Sequence, residues 1–127
     1  MNYQSVFRQL GRIVLAATNS LLIASAATVA LGAEVSPEAI EAGRAIAADR
    51  KLGNCYTCHQ VEGADLAGNV APPLVFMSMR YPNREALRAQ IADPRIRNPN
   101  TIMPPYGAYG ILTEQELDLL ADYVHSL

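Results

Sequence analysis

Among 127 residues the chain has no tryptophan, two phenylalanines, two cysteines and two histidines. Each scarcity excludes something. A structural zinc site needs four nitrogen or sulfur ligands, usually from a second C-x-x-C or a histidine pair. The thiols of Cys55 and Cys58 with His59 and the distant His125 offer neither. The strand-helix alternation around a thioredoxin-like redox pair is missing. A disulfide across the two residues between the cysteines fits poorly with unstrained geometry. Aromatic residues make up 6% of the chain, so a domain of this size buries a meagre apolar core unaided. Excess positive charge is lacking too: the formal net charge is -2, which argues against nucleic acid as a partner.

No charged residue occurs between Arg12 and Glu34. Arg8 and Arg12 precede a dense apolar window, Leu21 to Leu31, and the small-residue run Ala30-Leu31-Gly32-Ala33 closes it. This is the order of a secretory signal peptide, with the cut expected between Ala30 and Glu34. The uncharged run is also long enough for a retained transmembrane anchor, but Thr18, Asn19, Ser20, Ser25 and Thr28 dilute it. The expected division is a signal peptide over 1–32 and one folded domain over 33–127. With Arg8 and Arg12 removed, eight basic and all 12 acidic residues remain, a net charge of -4. The domain is exported, which in a bacterial-type chain means the periplasm, with no membrane contact after cleavage.

What is present begins with Cys55-Tyr56-Thr57-Cys58-His59, a C-x-x-C-H signature. Thiols one turn apart can reach the two vinyl groups of a single porphyrin, and the next side chain then stands over the iron as proximal ligand. One covalent haem c, held through Cys55 and Cys58 with His59 on the metal, is the expected cofactor. It would also supply the apolar volume that the sequence lacks.

Around the signature the pattern is helical. Ser36-Pro37-Glu38 offers an N-cap hydroxyl, a first-turn proline and an acid at the positive end of the dipole, predicting a helix to about Lys51. Ile40, Gly43, Ile46 and Ala47 share one side of it. Gly43 in mid-helix points to a close approach, and Tyr123 is placed to meet it. Asn83 to Asp93 reads as a middle helix with Leu87 and Ile91 inward, Arg84 and Arg88 outward, and Pro94 as its stop. Thr113-Glu114-Gln115-Glu116 is a capping box for a last helix carrying Leu117, Leu120, Ala121 and Val124 at helical spacing.

A haem iron takes a second axial ligand, and four side chains compete for the place. Met77 and Met79 follow Leu74-Val75-Phe76, where methionine suits core filling. His125 lies in the last helical turn, where a basic group favours the dipole and faces water. Met103 lies in a breaker-rich stretch, Pro94 to Gly110, of a length that in a small domain is functional or disordered.

Terminal helices meeting at a small residue and a ring, with C-x-x-C-H after the first, make the mature chain resemble the class I cytochromes c. That resemblance implies a small all-α fold of three to five helices around one haem. It places Ala71-Pro72-Pro73-Leu74 at the family's Gly-Pro-x-Leu turn, implying that the Pro72 carbonyl accepts from His59; Ala71 in place of glycine demands an ordinary backbone there. It also sets Met103-Pro104 at the distal-ligand loop, implying Met103 as the second ligand.

Gly43 to Cys55, Asn100 to Gly107 and Ile111-Leu112-Thr113-Glu114 are further similar to the SoxX family of monohaem subunits. This similarity implies a periplasmic heterodimer with a SoxA-like subunit, dihaem or monohaem, that couples thiosulfate to a cysteine of the SoxYZ carrier. The SoxX-type chain has no catalytic residue of its own in that L-cysteine S-thiosulfotransferase complex, and passes electrons to a cytochrome c acceptor. A free monomeric electron shuttle fits the haem residues equally well. Arg80, Arg84 and Arg88, with Arg95 and Arg97, form a basic row that reads as a solvated face or as a surface steering an anionic partner.

Overall fold

Ser36 caps the first helix as its chemistry requires, its hydroxyl accepting the Ala39 amide at 3.2 Å. The computed structural model describes residues 34–127, so the expected signal peptide lies outside the described residues. Helix α1 spans Pro37–Ala48 and stops three residues short of Lys51. Asp49 turns extended there, and its carboxylate takes the Lys51 amide at 2.7 Å, an Asx-type bond that competes with helix continuation.

The last helix, α4 (Glu114–Ser126), has the reciprocal capping box complete: Thr113 and Glu116 bond each other's backbone amides. It buries Leu117, Leu120, Ala121, Tyr123 and Val124. Against it α1 buries Gly43, Ile46 and Ala47. A methyl group on Gly43 would stand 2.1 Å from the Leu119 carbonyl oxygen and 2.6 Å from Tyr123 Cβ. Only glycine permits this crossing, and the loss of helix propensity at Gly43, about 1 kcal/mol, is the cost.

Two shorter helices complete the set. Helix α2 (Met77–Arg80) is a single turn that the sequence reading omitted, entered through Phe76 in the left-handed region at φ 53°. It splits the two methionines: Met77 is buried in the core, whereas Met79 is 77% exposed and fills nothing. Helix α3 (Arg84–Ala92) starts at Asn83, whose side chain accepts from Glu85 and Ala86, and turns Leu87 and Ile91 inward. A 3-10 turn, Pro94–Ile96, follows, so the breaker-rich stretch opens in ordered structure.

Two members of the basic row, Arg84 and Arg88, are drawn into ion pairs, while Arg80 and Arg97 stay exposed. Arg84 pairs with Asp122, Asp118 and Glu85, and Arg88 with Asp118 and Glu114, which ties α3 to α4. Arg80 donates to the Pro73 carbonyl at 2.8 Å and Arg95 to Asp93. The expectation of outward-facing Arg84 and Arg88 failed because acids on α4, 26 to 38 positions later, fold over them. His125, expected to face water, is half-buried and its Nε2 donates to the Tyr81 carbonyl at 3.0 Å. The described residues thus form an all-α unit of four helices with no strand, and no helix among them is long and apolar enough to cross a membrane.

Candidate functional site

The C-x-x-C-H segment forms a 3-10 turn, Cys55–Thr57, entered through Asn54 in the left-handed region at φ 48°. Asparagine tolerates that conformation because its short side chain bonds locally, here by accepting from the Thr57 hydroxyl at 2.6 Å. The Cys58 and His59 amides both donate to the Cys55 carbonyl, at 3.2 and 2.9 Å. This winding brings both thiols and the imidazole onto one turn.

A strap of chain then passes beneath it. The Gly68 amide donates to the Tyr56 carbonyl at 2.7 Å, and the Val70 and Ala71 amides share the Cys58 carbonyl. A Cβ on Gly68 would lie 2.2 Å from the Thr57 carbonyl oxygen, so this approach needs glycine. His59 and Ala71 pair as an isolated parallel bridge. The pairing puts Pro72 opposite the imidazole, with His59 Nδ1 2.7 Å from the Pro72 carbonyl oxygen. A carbonyl can only accept, so Nδ1 carries the proton and Nε2 keeps its lone pair.

Cys55 and Cys58 are half-buried free thiols. Burial pushes the Cys55 thiol up to about 11, which leaves it a poor thiolate nucleophile near neutrality. Two thiols one turn apart, beside an imidazole whose free nitrogen is Nε2, form a donor set that fits covalent haem c. Ten large hydrophobic residues of the described chain stand exposed, among them Phe76, Ile96 and Ile102, surface that a prosthetic group or a protein partner could cover.

Met103 is half-buried against the core, its amide held by the Thr101 hydroxyl at 3.2 Å. Cys55, Cys58, His59 and Pro72 are drawn together by the turn and its strap; Met103 reaches the same core from the loop before α4. Three residues on, Tyr106 is buried and its hydroxyl donates to the Gly53 carbonyl at 2.6 Å. Sequence reasoning missed Tyr106, and its one signal was a ring directly after Pro104-Pro105. Burial raises Tyr106 to about 12, so the hydroxyl stays protonated as the donor.

A cavity of about 530 Å³ opens beside Tyr56 and Thr57, with Arg44, Arg50, Glu62 and Asp65 in its wall. Cys55, Cys58 and His59 do not line it. At its base Tyr56 and Tyr123 share a hydroxyl hydrogen bond of 2.7 Å, and burial raises Tyr123 well above the usual phenol range.

The family model for cytochrome c matches residues 40–127. Among solved structures, the chain is similar to the crystal structure of SoxXA from P. pantotrophus, with a TM-score of 0.62 and 25% sequence identity. The match covers 75% of this chain and 83% of that one. No curated protein matches the chain.

Proposed function

The chain belongs to the cytochrome c family, and from that membership we propose that it is the SoxX-type electron-transfer subunit of a periplasmic thiosulfate-oxidising complex. The observation that carries the reading is the C-x-x-C-H turn with His59 Nδ1 held 2.7 Å from the Pro72 carbonyl, in a chain whose fold is similar to SoxXA.

Haem c supplies one-electron chemistry, its iron passing between ferric and ferrous. Cys55 and Cys58 would hold the porphyrin in thioether links, and His59 would offer Nε2 as an iron ligand. Pro72 fixes the tautomer and, by accepting the Nδ1 proton, raises the basicity of the ligating nitrogen. Met103 is the residue we assign as the second iron ligand; a neutral thioether in that role would favour the ferrous state and a high potential.

The coupling itself is assigned to a SoxA-like partner. Joining thiosulfate to a carrier cysteine thiol forms one sulfur–sulfur bond and releases one proton and two electrons. This chain takes those electrons singly and passes them to a cytochrome c acceptor. With both cysteines committed to haem, it has no thiol left to hold a sulfur intermediate. The signal segment over 1–32 would deliver the domain over 33–127 to the periplasm.

The test is reconstitution. The purified holoprotein should be reduced and reoxidised but show no turnover with thiosulfate and a SoxYZ-type carrier until a SoxA-like subunit is added. Turnover by the chain alone would sink the division of labour. Failure to bind SoxA at micromolar concentration would favour the free shuttle.

A further inference from the structure

The loop that carries Met103 is anchored unevenly. From Arg97 to Met103 its amides make only local bonds: Arg97 and Asn98 to the Pro94 carbonyl, Thr101 to that of Asn98, Asn100 to the Asn98 side chain, and Met103 to the Thr101 hydroxyl. Arg97 lies over the Tyr81 ring and Met103 packs on the core, but the long-range hydrogen bonds begin at Tyr106. Its hydroxyl reaches the Gly53 carbonyl, and just beyond it the Gly107 and Ala108 amides both take the Ala92 carbonyl, at 3.0 and 3.1 Å. Gly53 is itself pinned to α1, its amide donating to the Ile46 carbonyl at 3.1 Å, and it stands two residues before Cys55.

Between Met103 and Tyr106 lie only Pro104 and Pro105. Each proline locks φ near -65°, so the link has few soft torsions and a displacement at one end reaches the other. A continuous path therefore runs from α1 through Gly53 and the Tyr106 hydroxyl, then along the proline pair to Met103. We propose that Tyr106 is a positioning residue that holds the Met103 thioether in place as the distal ligand. This rests on the reading of Met103 as that ligand. Without the hydroxyl, the buried Gly53 carbonyl loses its partner and the loop loses its first long-range hydrogen bond after Met103, so an external ligand competes more easily for the iron.

The test uses holoprotein and imidazole as the competing ligand. Tyr106→Phe keeps the ring and removes the hydroxyl; it should bind imidazole to the ferric protein about tenfold more tightly than wild type. It should also weaken the near-infrared sulfur-to-iron band. Tyr109→Phe, whose hydroxyl only meets Arg95 at the exposed surface, should leave both unchanged. A Tyr106→Phe protein that unfolds more easily yet keeps wild-type imidazole affinity and band intensity would overturn the proposal. Should that variant fail to accumulate with haem, Pro104→Gly, at an exposed position, carries the test: tighter imidazole binding is expected, and wild-type affinity would overturn the proposal. Met103→Ala separates the two readings. If it retains the band, the ligand assignment itself is wrong; if it loses the band while Tyr106→Phe behaves as wild type, only the positioning role is.

Discussion

At the scale of single residues the attachment turn depends on backbone approaches that a side chain would block. Gly68 is the sharpest case, because the atoms its Cβ would meet are the carbonyl oxygen and carbon of Thr57, at 2.2 and 2.6 Å, and backbone cannot swing aside as a side chain can. Gly68→Ala should push the strap away from the turn at a cost of about 1–3 kcal/mol. The strap carries Pro72 to His59, so the damage should appear in maturation: less covalent haem per chain than wild type in a haem-attaching host, measured as haem absorbance against protein mass. Wild-type haem content in Gly68→Ala would show that the strap is not needed to present His59. Gly43 is under equal steric pressure, but its neighbours lie on α4, and a change there would act on the helix crossing.

Among the elements, the α3–α4 contact is where ionisation matters. Asp118 accepts from Arg88 at 2.7 Å and from Arg84 at 3.3 Å, and these guanidiniums, Arg88 foremost, hold its carboxyl below the ordinary aspartate range. A carboxylate depressed in the folded state contributes stability that is complete above its unfolded pKa, about 3.9. That contribution is lost as pH falls through the lower folded value. Thermal midpoints measured from pH 6 down to pH 3 should therefore fall most steeply below about pH 4. Asp118→Asn should flatten part of that fall and, at neutral pH, cost up to about 1 kcal/mol, because the aspartate is half exposed. Arg84 and Arg88 keep their charge throughout this range, so the carboxylates facing them set the slope. An unchanged acid limb in Asp118→Asn would show that the pair carries no net stability.

For the whole molecule the question is how much of the fold depends on the cofactor. The buried hydrophobic set of the described residues includes few large side chains beyond Leu, Ile and two tyrosines, while ten large hydrophobics stay exposed. Burying part of that surface under haem stabilises the folded state at roughly 25 cal/mol per Å². The double variant Cys55→Ser with Cys58→Ser, which cannot form thioethers, should unfold at least about 10 °C below the holoprotein, equivalent to about 2 kcal/mol in a domain of this size. Its near-ultraviolet dichroism should weaken while the helical signal persists. An apo-type variant with the holoprotein's midpoint would show that the helices carry the fold unaided. The same exposed residues are where a partner could dock, which links the stability measurement to the reconstitution with a SoxA-like subunit.

Local chemistry was sufficient for much of this protein. The C-x-x-C-H spacing named the cofactor, because two thiols and an imidazole within five residues meet on a single turn whatever the rest of the chain does. The caps at Ser36 and Thr113 placed two helices, since a capping side chain acts on amides two or three residues away, and Leu87 and Ile91 with the Pro94 stop placed the third. Family resemblance brought Pro72 and Met103 into view. Tertiary structure decided what distant residues do to one another. It drew Arg84 and Arg88 partly out of solvent, because the acids that claim them arrive only with α4. It divided Met77 from Met79 by an added helical turn, and gave the His125 ring the Tyr81 carbonyl. It also joined the Tyr106 hydroxyl to Gly53, 53 residues earlier in the chain. No local pattern encodes such a bond, because it exists only once α1 and the methionine loop have closed on the same core.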